Sequence, residues 1–196
     1  MNKPPETESA TLSRQQRETL LDIARRSIVH GLEWHSPLAV DPADYDARLR
    51  APGASFVTLY LGNELRGCIG SLEARRPLVS DVASNACAAA FQDPRFLPLT
   101  AGELPALHIH ISVLSEATPL HFSSEEDLLR QLRPGVDGLI LEEAEIHRGT
   151  FLPSVWSSLP DPRRFLQQLK LKAGLPADYW SDTLRVLRYT TESFGE

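Results

Sequence analysis

Cysteine is scarce in this chain: Cys68 and Cys87 are the only two among 196 residues. Two thiols cannot build a disulfide framework, and no CxxC pair offers a zinc site. No apolar run approaches the ~18 residues that a membrane-spanning helix needs. GxGxxG, P-loop, GxSxG and HExxH patterns are all missing, which removes the common nucleotide-binding, hydrolase and zincin readings. Positive charge is also short, with 20 Lys and Arg against 26 Asp and Glu, a net charge of -6. That balance argues against DNA binding driven by phosphate neutralisation; a local basic patch would keep RNA open as a partner. Residues 1–10 are polar, carry two prolines and lack the apolar core of a signal peptide, so a disordered tail is expected there. Together these absences point to a reduced, cytoplasmic protein that does not enter membranes.

What is present is ordinary for a globular domain: 42% apolar and 23% charged residues. Residues 11–196 suffice for one domain with a real core, with a smaller subdomain expected within it. Ser13 with Gln16 three residues on forms a capping box for a helix. Its inner face is Leu20, Ala24, Ser27, Ile28 and Gly31, and Gly31 is the expected stop.

The run Ser55 to Leu61 is rich in β-branched and aromatic residues, and Gly62-Asn63 suits a glycine-first two-residue turn. The return arm is Glu64 to Gly70. An unbroken ladder would place Leu59 opposite Arg66 and Val57 opposite Cys68, with Arg66 and Cys68 on one face roughly 7 Å apart. Phe56, Thr58, Tyr60, Leu65 and Ile69 would then face the core. Gly67 and Gly70 weaken this arm, which marks a bulge or the close approach of another backbone or a ligand.

Pro77 suits the start of a second helix running to Phe91, with Leu78, Val82, Asn85, Ala86 and Ala89 on one stripe. Asn85 is polar in an apolar stripe. It either ties down a nearby backbone loop, the preferred reading, or points into a ligand cleft. Asp93-Pro94-Arg95-Phe96 reads as a turn in which Arg95 pairs with Asp93 or reaches an anion. Leu107 to Leu114 alternates as a half-buried strand, placing His108 and His110 on its polar face. Two histidines at that spacing can share a metal only with a third ligand from elsewhere, so no metal is expected. Downstream, Ser123 or Ser124 caps a short acidic helix, Gly138 to Glu142 forms a strand, and Glu142 to Arg148 makes a charged hairpin loop. Asp161-Pro162 opens the last helix, and Leu184 to Tyr189 is a strand inside the sheet. Helices and hairpins mix without a βαβ rhythm, which gives an α+β fold with a mainly antiparallel sheet flanked by helices.

Leu65-Arg66-Gly67-Cys68-Ile69-Gly70 resembles the signature of the AMMECR family, also called protein A of the AmmeMemoRadiSam system. The likeness continues through Asn85, Ala88-Ala89-Ala90-Phe91 and Asp93-Pro94-Arg95-Phe96. It runs on through Ser112-Val113-Leu114-Ser115, Gly135-Val136-Asp137-Gly138, and Gly149-Thr150-Phe151-Leu152-Pro153 with Trp156. Lys172-Ala173-Gly174-Leu175-Pro176 with Trp180 completes it. His108 and His110 depart from the acids that relatives often carry there, and the loop from Glu142 to Arg148 is also unusual. The resemblance implies a larger sheet-and-helix body with a smaller subdomain, the signature near a cleft between them, and association with a Memo-like protein and a radical SAM protein. It implies no particular reaction and no cofactor.

Two readings of the signature follow. In one, Cys68 and Arg66 are catalytic: the guanidinium lowers the thiol pKa or holds a substrate anion, while Asn85, Thr150 and Arg95 bind substrate. In the other, the chain is a non-catalytic adaptor, Arg66 makes a buried ion pair and Cys68 is a small core residue.

Overall fold

The computed structural model describes residues 11–144 and 146–196, so the tail expected at 1–10 lies outside the described residues. The chain divides into two compact units, the first reaching to Leu114 and completed by Glu192–Glu196, the second Ser115–Thr191.

The first unit opens with α1 (Arg14–Trp34), started by the expected capping box between Ser13 and Gln16. Gly31 does not end it. The helix runs three residues further and His35 takes the left-handed conformation at its C-cap. Gly31 is small for packing instead: a Cβ there would lie 2.4 Å from the Phe91 ring. The connection carries one short turn of helix, α2 (Ala47–Arg50), capped by Asp46.

Next come β1 (Pro52–Leu61), β2 (Glu64–Gly70), the two-residue β3 (Arg76–Pro77), α3 (Leu78–Phe91) and β4 (Leu107–Leu114). Strand β1 lies between β2 and β4 and pairs antiparallel with both. Gly62 turns the β1–β2 hairpin with a φ of 58°, as a glycine-first turn requires. Leu61 stands opposite Glu64 as expected, but the register then shifts by one: Leu59 meets Gly67, Thr58 meets Cys68 and Val57 meets Ile69. The extra residue in β2 is Arg66. A one-residue shift moves every later side chain to the other face, and the expected faces are corrected accordingly. Val57 and Leu59 are fully buried with Ile69 packed against them, whereas Phe56, Thr58 and Tyr60 are only half-buried on the opposite face.

Helices α1 and α3 cover the core face of this sheet. In α3 the expected stripe is buried, and Val79, Ala83 and Cys87 are buried with it. In β4 the apolar side chains Leu107, Ile109, Ile111 and Val113 join the same core, with His108 exposed and His110 half-buried on the far face.

The second unit holds β5 (Thr118–Pro119), α4 (Glu125–Gln131), β6 (Gly138–Glu143), β7 (His147–Phe151), α5 (Pro162–Lys172) and β8 (Arg185–Tyr189). Its sheet has the order β5-β8-β6-β7, every pair antiparallel. Trp156 stacks on Phe165 at 3.7 Å and donates from Nε1 to the Asp137 carbonyl at 2.7 Å, so this indole is both packed and satisfied. The closing strand β9 (Thr191–Gly195) lies beside β4 and completes the first sheet. The fold is therefore α+β with antiparallel sheets. Among the described residues no helix is long and apolar enough to cross a membrane.

Candidate functional site

Cys68 lies on β2, on the sheet face opposite the helices, and is half-buried. Its cross-strand partner Thr58 donates a hydroxyl hydrogen bond to Sγ at 3.3 Å. The next strand brings His110 into register with Thr58, so thiol, hydroxyl and imidazole form one row across three strands. Cross-strand neighbours of this kind stand about 5 Å apart at Cβ. Burial pushes the His110 imidazole below its ordinary pKa, which favours the neutral ring.

The backbone of Cys68 is held from the turn after α3. Asp93, 5% exposed, accepts from the Cys68 amide at 2.9 Å through Oδ2. The same carboxylate takes Arg95 in a fork, Nε to Oδ1 at 2.9 Å and Nη2 to Oδ2 at 2.6 Å. It also accepts from the Arg95 amide at 3.1 Å, the local bond that makes Asp-Pro-x a turn. The Arg95 hydrogen bonds above all, helped by the backbone donors, hold the Asp93 carboxyl well below the usual range in spite of its burial. Arg95 is held above its own usual value chiefly by Asp93, with a smaller contribution from the charge of Cys68.

Arg66 is placed differently from the sequence expectation. It is the bulged residue, its side chain is 13% exposed, and its Nε and Nη2 donate to Glu103 at 2.7 and 3.4 Å. Glu103 also accepts from the amide and hydroxyl of Thr100, each at 2.7 Å. Arg66 first, and then Thr100, pull the Glu103 carboxyl down to about 2. The guanidinium carbons of Arg66 and Arg95 both lie within cation–π range of Phe96, at 5.9 and 5.4 Å. The arginine joined to Cys68, through Asp93, is thus Arg95, and the partner of Arg66 is an acid that neither strand supplies.

Asn85 is 4% exposed and donates to the Ser55 carbonyl and to Asp81 Oδ2, both at 2.9 Å. The backbone it holds is that of strand β1, where the sequence suggested a loop. Thr150 belongs to the second unit, where its hydroxyl donates to the Leu139 carbonyl at 2.9 Å and meets the Tyr189 hydroxyl at 3.0 Å. Of the five residues singled out from sequence, Cys68 and Arg95 are joined through Asp93, and Arg66 through Phe96. Asn85 and Thr150 have structural partners. The Asp93–Arg95 pair is the one the turn suggests, whereas Thr58, expected in the core, and Glu103 are not singled out by the sequence. For Glu103 the local signal is Thr100-x-x-Glu103, a capping-box spacing. Among the described residues no group of three or more His, Cys, Asp or Glu side chains could hold a metal ion.

Both acids have folded pKa values below their unfolded ones of about 3.9 for Asp and 4.3 for Glu. Their contribution to stability is therefore complete above those values and is lost as pH falls through the folded ones. Urea unfolding should show stability declining between about pH 4.5 and pH 2, with the Glu103→Gln variant losing less over that interval than the wild type. An equal decline in both would contradict this assignment.

A two-unit antiparallel α+β chain with an Arg-Gly-Cys edge strand defines a narrow class of protein. The AMMECR1 family model matches residues 21–194, and the chain belongs to that family. A protein of Methanothermobacter thermautotrophicus is 38% identical over 189 residues, which cover 95% of this chain and 97% of the relative. A protein of Saccharolobus solfataricus is 38% identical over 188 residues, covering 90% and 80%. The crystal structure of an uncharacterised protein from Pyrococcus horikoshii matches with a TM-score of 0.83 at 35% identity, covering 91% of this chain and 90% of that one.

Proposed function

We propose that this AMMECR1-family protein is an enzyme, or a subunit of one, whose reacting group is the Cys68 thiol. It acts in a reducing cytoplasm together with a Memo-like protein and a radical SAM protein. One observation carries the reading: a half-exposed thiol receives a hydroxyl hydrogen bond from Thr58, and its own amide is clamped by a buried carboxylate. A cysteine that merely fills a core needs neither. Arg95, 54% exposed at its side chain, takes the anion-binding part that the sequence suggested for Arg66, while Arg66 supports the turn through Phe96 and Glu103.

The second cysteine makes the test internal. Cys87 is 2% exposed and burial raises its thiol pKa. With iodoacetamide at neutral pH, Cys68 should label in the native protein faster than glutathione does. Cys87 should label only after unfolding, and Asp93→Asn should slow Cys68. A Cys68 no faster than free glutathione would remove the nucleophile from the proposal.

The adaptor reading has its own support in the Arg66–Glu103 pair, since a signature arginine engaged by an acid is what a packing role requires. Recovery in near-equal amounts with the Memo-like and radical SAM proteins, from cells carrying Cys68→Ser with undiminished function, would favour it.

A further inference from the structure

The end of the β6–β7 hairpin carries a cavity of about 430 Å³ inside the second unit. Glu143 lines it and is 5% exposed. Its Oε1 accepts from the Thr183 hydroxyl at 2.6 Å and from Ser181 at 3.4 Å. Its Oε2 is buried and has no hydrogen-bond partner. Oxygen left bare in this way bears the full desolvation cost of a carboxylate.

Directly across the ladder stands His147, which lines the same cavity. Its Nδ1 lies 3.0 Å from the Ala173 carbonyl, which can only accept. Nδ1 therefore carries the proton, and in the neutral ring Nε2 is left as an acceptor. The two arginines on the wall direct their charge at Glu142, Arg148 at 3.3 Å and Arg185 at 3.8 Å. Among the described residues none gives Glu143 a cation. Glu143 and His147 thus stand opposite each other on the ladder and line one cavity, each with an acceptor to spare, while the Thr183 hydroxyl holds the carboxylate through Oε1.

We propose that this cavity binds a small ligand through a primary ammonium group, which donates one N–H to Glu143 Oε2 and another to His147 Nε2. The site lies wholly in the second unit and is independent of the role argued for Cys68. A metal ion is disfavoured because the pair lacks a third protein donor among the described residues.

The probe is n-butylammonium, titrated into the full chain while the His147 ring resonances are followed by NMR. Tetramethylammonium has the same charge and no N–H, and serves as the control on the unmodified protein. Saturable shifts of His147 with n-butylammonium alone, weakened about tenfold or more in Glu143→Gln as loss of a charge-assisted hydrogen bond implies, would support the proposal. Equal responses to both cations, no saturation, full affinity in Glu143→Gln, or saturation by zinc with no response to n-butylammonium would each overturn it.

Discussion

Asp81→Ala is expected to lower stability by about 4 kcal/mol, because it takes the acceptor from several buried donors at about 1–3 kcal/mol each. Asp81 is 1% exposed on α3. Its Oδ2 accepts from the Ser55 amide at 2.8 Å, the Ser55 hydroxyl at 2.7 Å and Asn85 at 2.9 Å. Its Oδ1 accepts from the Ser71 hydroxyl at 2.8 Å and from Arg76 Nε at 2.9 Å. One carboxylate therefore satisfies donors from β1, from the segment after β2, from β3 and from its own helix. Alanine would orphan the buried Ser55 amide and leave Asn85 only its bonds to Ser55 and Ser71, and unmade bonds of that kind cost more than made ones gain. Against a typical total of about 5–15 kcal/mol, such a loss leaves a marginal fold. Asp81→Asn keeps the shape and one acceptor, and should cost roughly half as much. Urea unfolding monitored by tryptophan fluorescence reads both. A loss under about 1 kcal/mol for alanine would mean that water replaces the carboxylate and that the network is not what joins α3 to β1.

Elements whose cause is local were legible in the sequence. The alternation from Leu107 to Leu114 gives β4 with the bounds it has, because period 2 is intrinsic to a strand. The Ser13 box, the Ser124 cap and Asp161-Pro162 each start the helix they suggest, because the capping side chain and the orphan amide lie within three residues of each other. The register of β2 is different in kind. Gly67 signals that something comes close, yet only the packed helix decides that the ladder slips at Arg66. With the slip unknown, Thr58 points at the core and the Thr58–Cys68 contact is invisible. Glu103 is 37 residues from Arg66, so no spacing argument could single it out over Glu64 or Glu73. Strand β9 was missed because its five residues are mostly polar or half-exposed and gain their place from β4. The candidate site is therefore half readable: its residue types stand in one signature, while their pairing is set by contacts across the fold.

Gly67→Ala should be nearly as damaging as the loss of Asp81, for a steric reason. A Cβ on Gly67 would stand 2.1 Å from the Ala89 carbonyl oxygen of α3, far inside any permitted contact. The obstacle is backbone in a helix whose neighbours Ala86, Ala89 and Ala90 are at most 2% exposed, so it cannot yield as a side chain would. Overpacking costs about 1–3 kcal/mol where atoms can shift, and the upper end, about 3 kcal/mol, is expected here. Gly70 supplies the control within the same strand. Its Cβ would meet Cγ of the half-buried Phe56 at 2.2 Å, a side-chain obstacle that yields by a change of χ1 where helix backbone cannot, so Gly70→Ala should cost less, about 1–2 kcal/mol. The clash at Gly67 has a second consequence, because the strand can escape it only by lifting β2 at the bulge. Lifting would stretch the 2.9 Å bond from the Cys68 amide to Asp93 and carry the thiol outward. Gly67→Ala should therefore both lower the urea midpoint and raise the accessibility of Cys68 to iodoacetamide, while Gly70→Ala changes labelling little. If the two alanine variants unfold at the same midpoint, the backbone of α3 is not what makes glycine necessary at position 67.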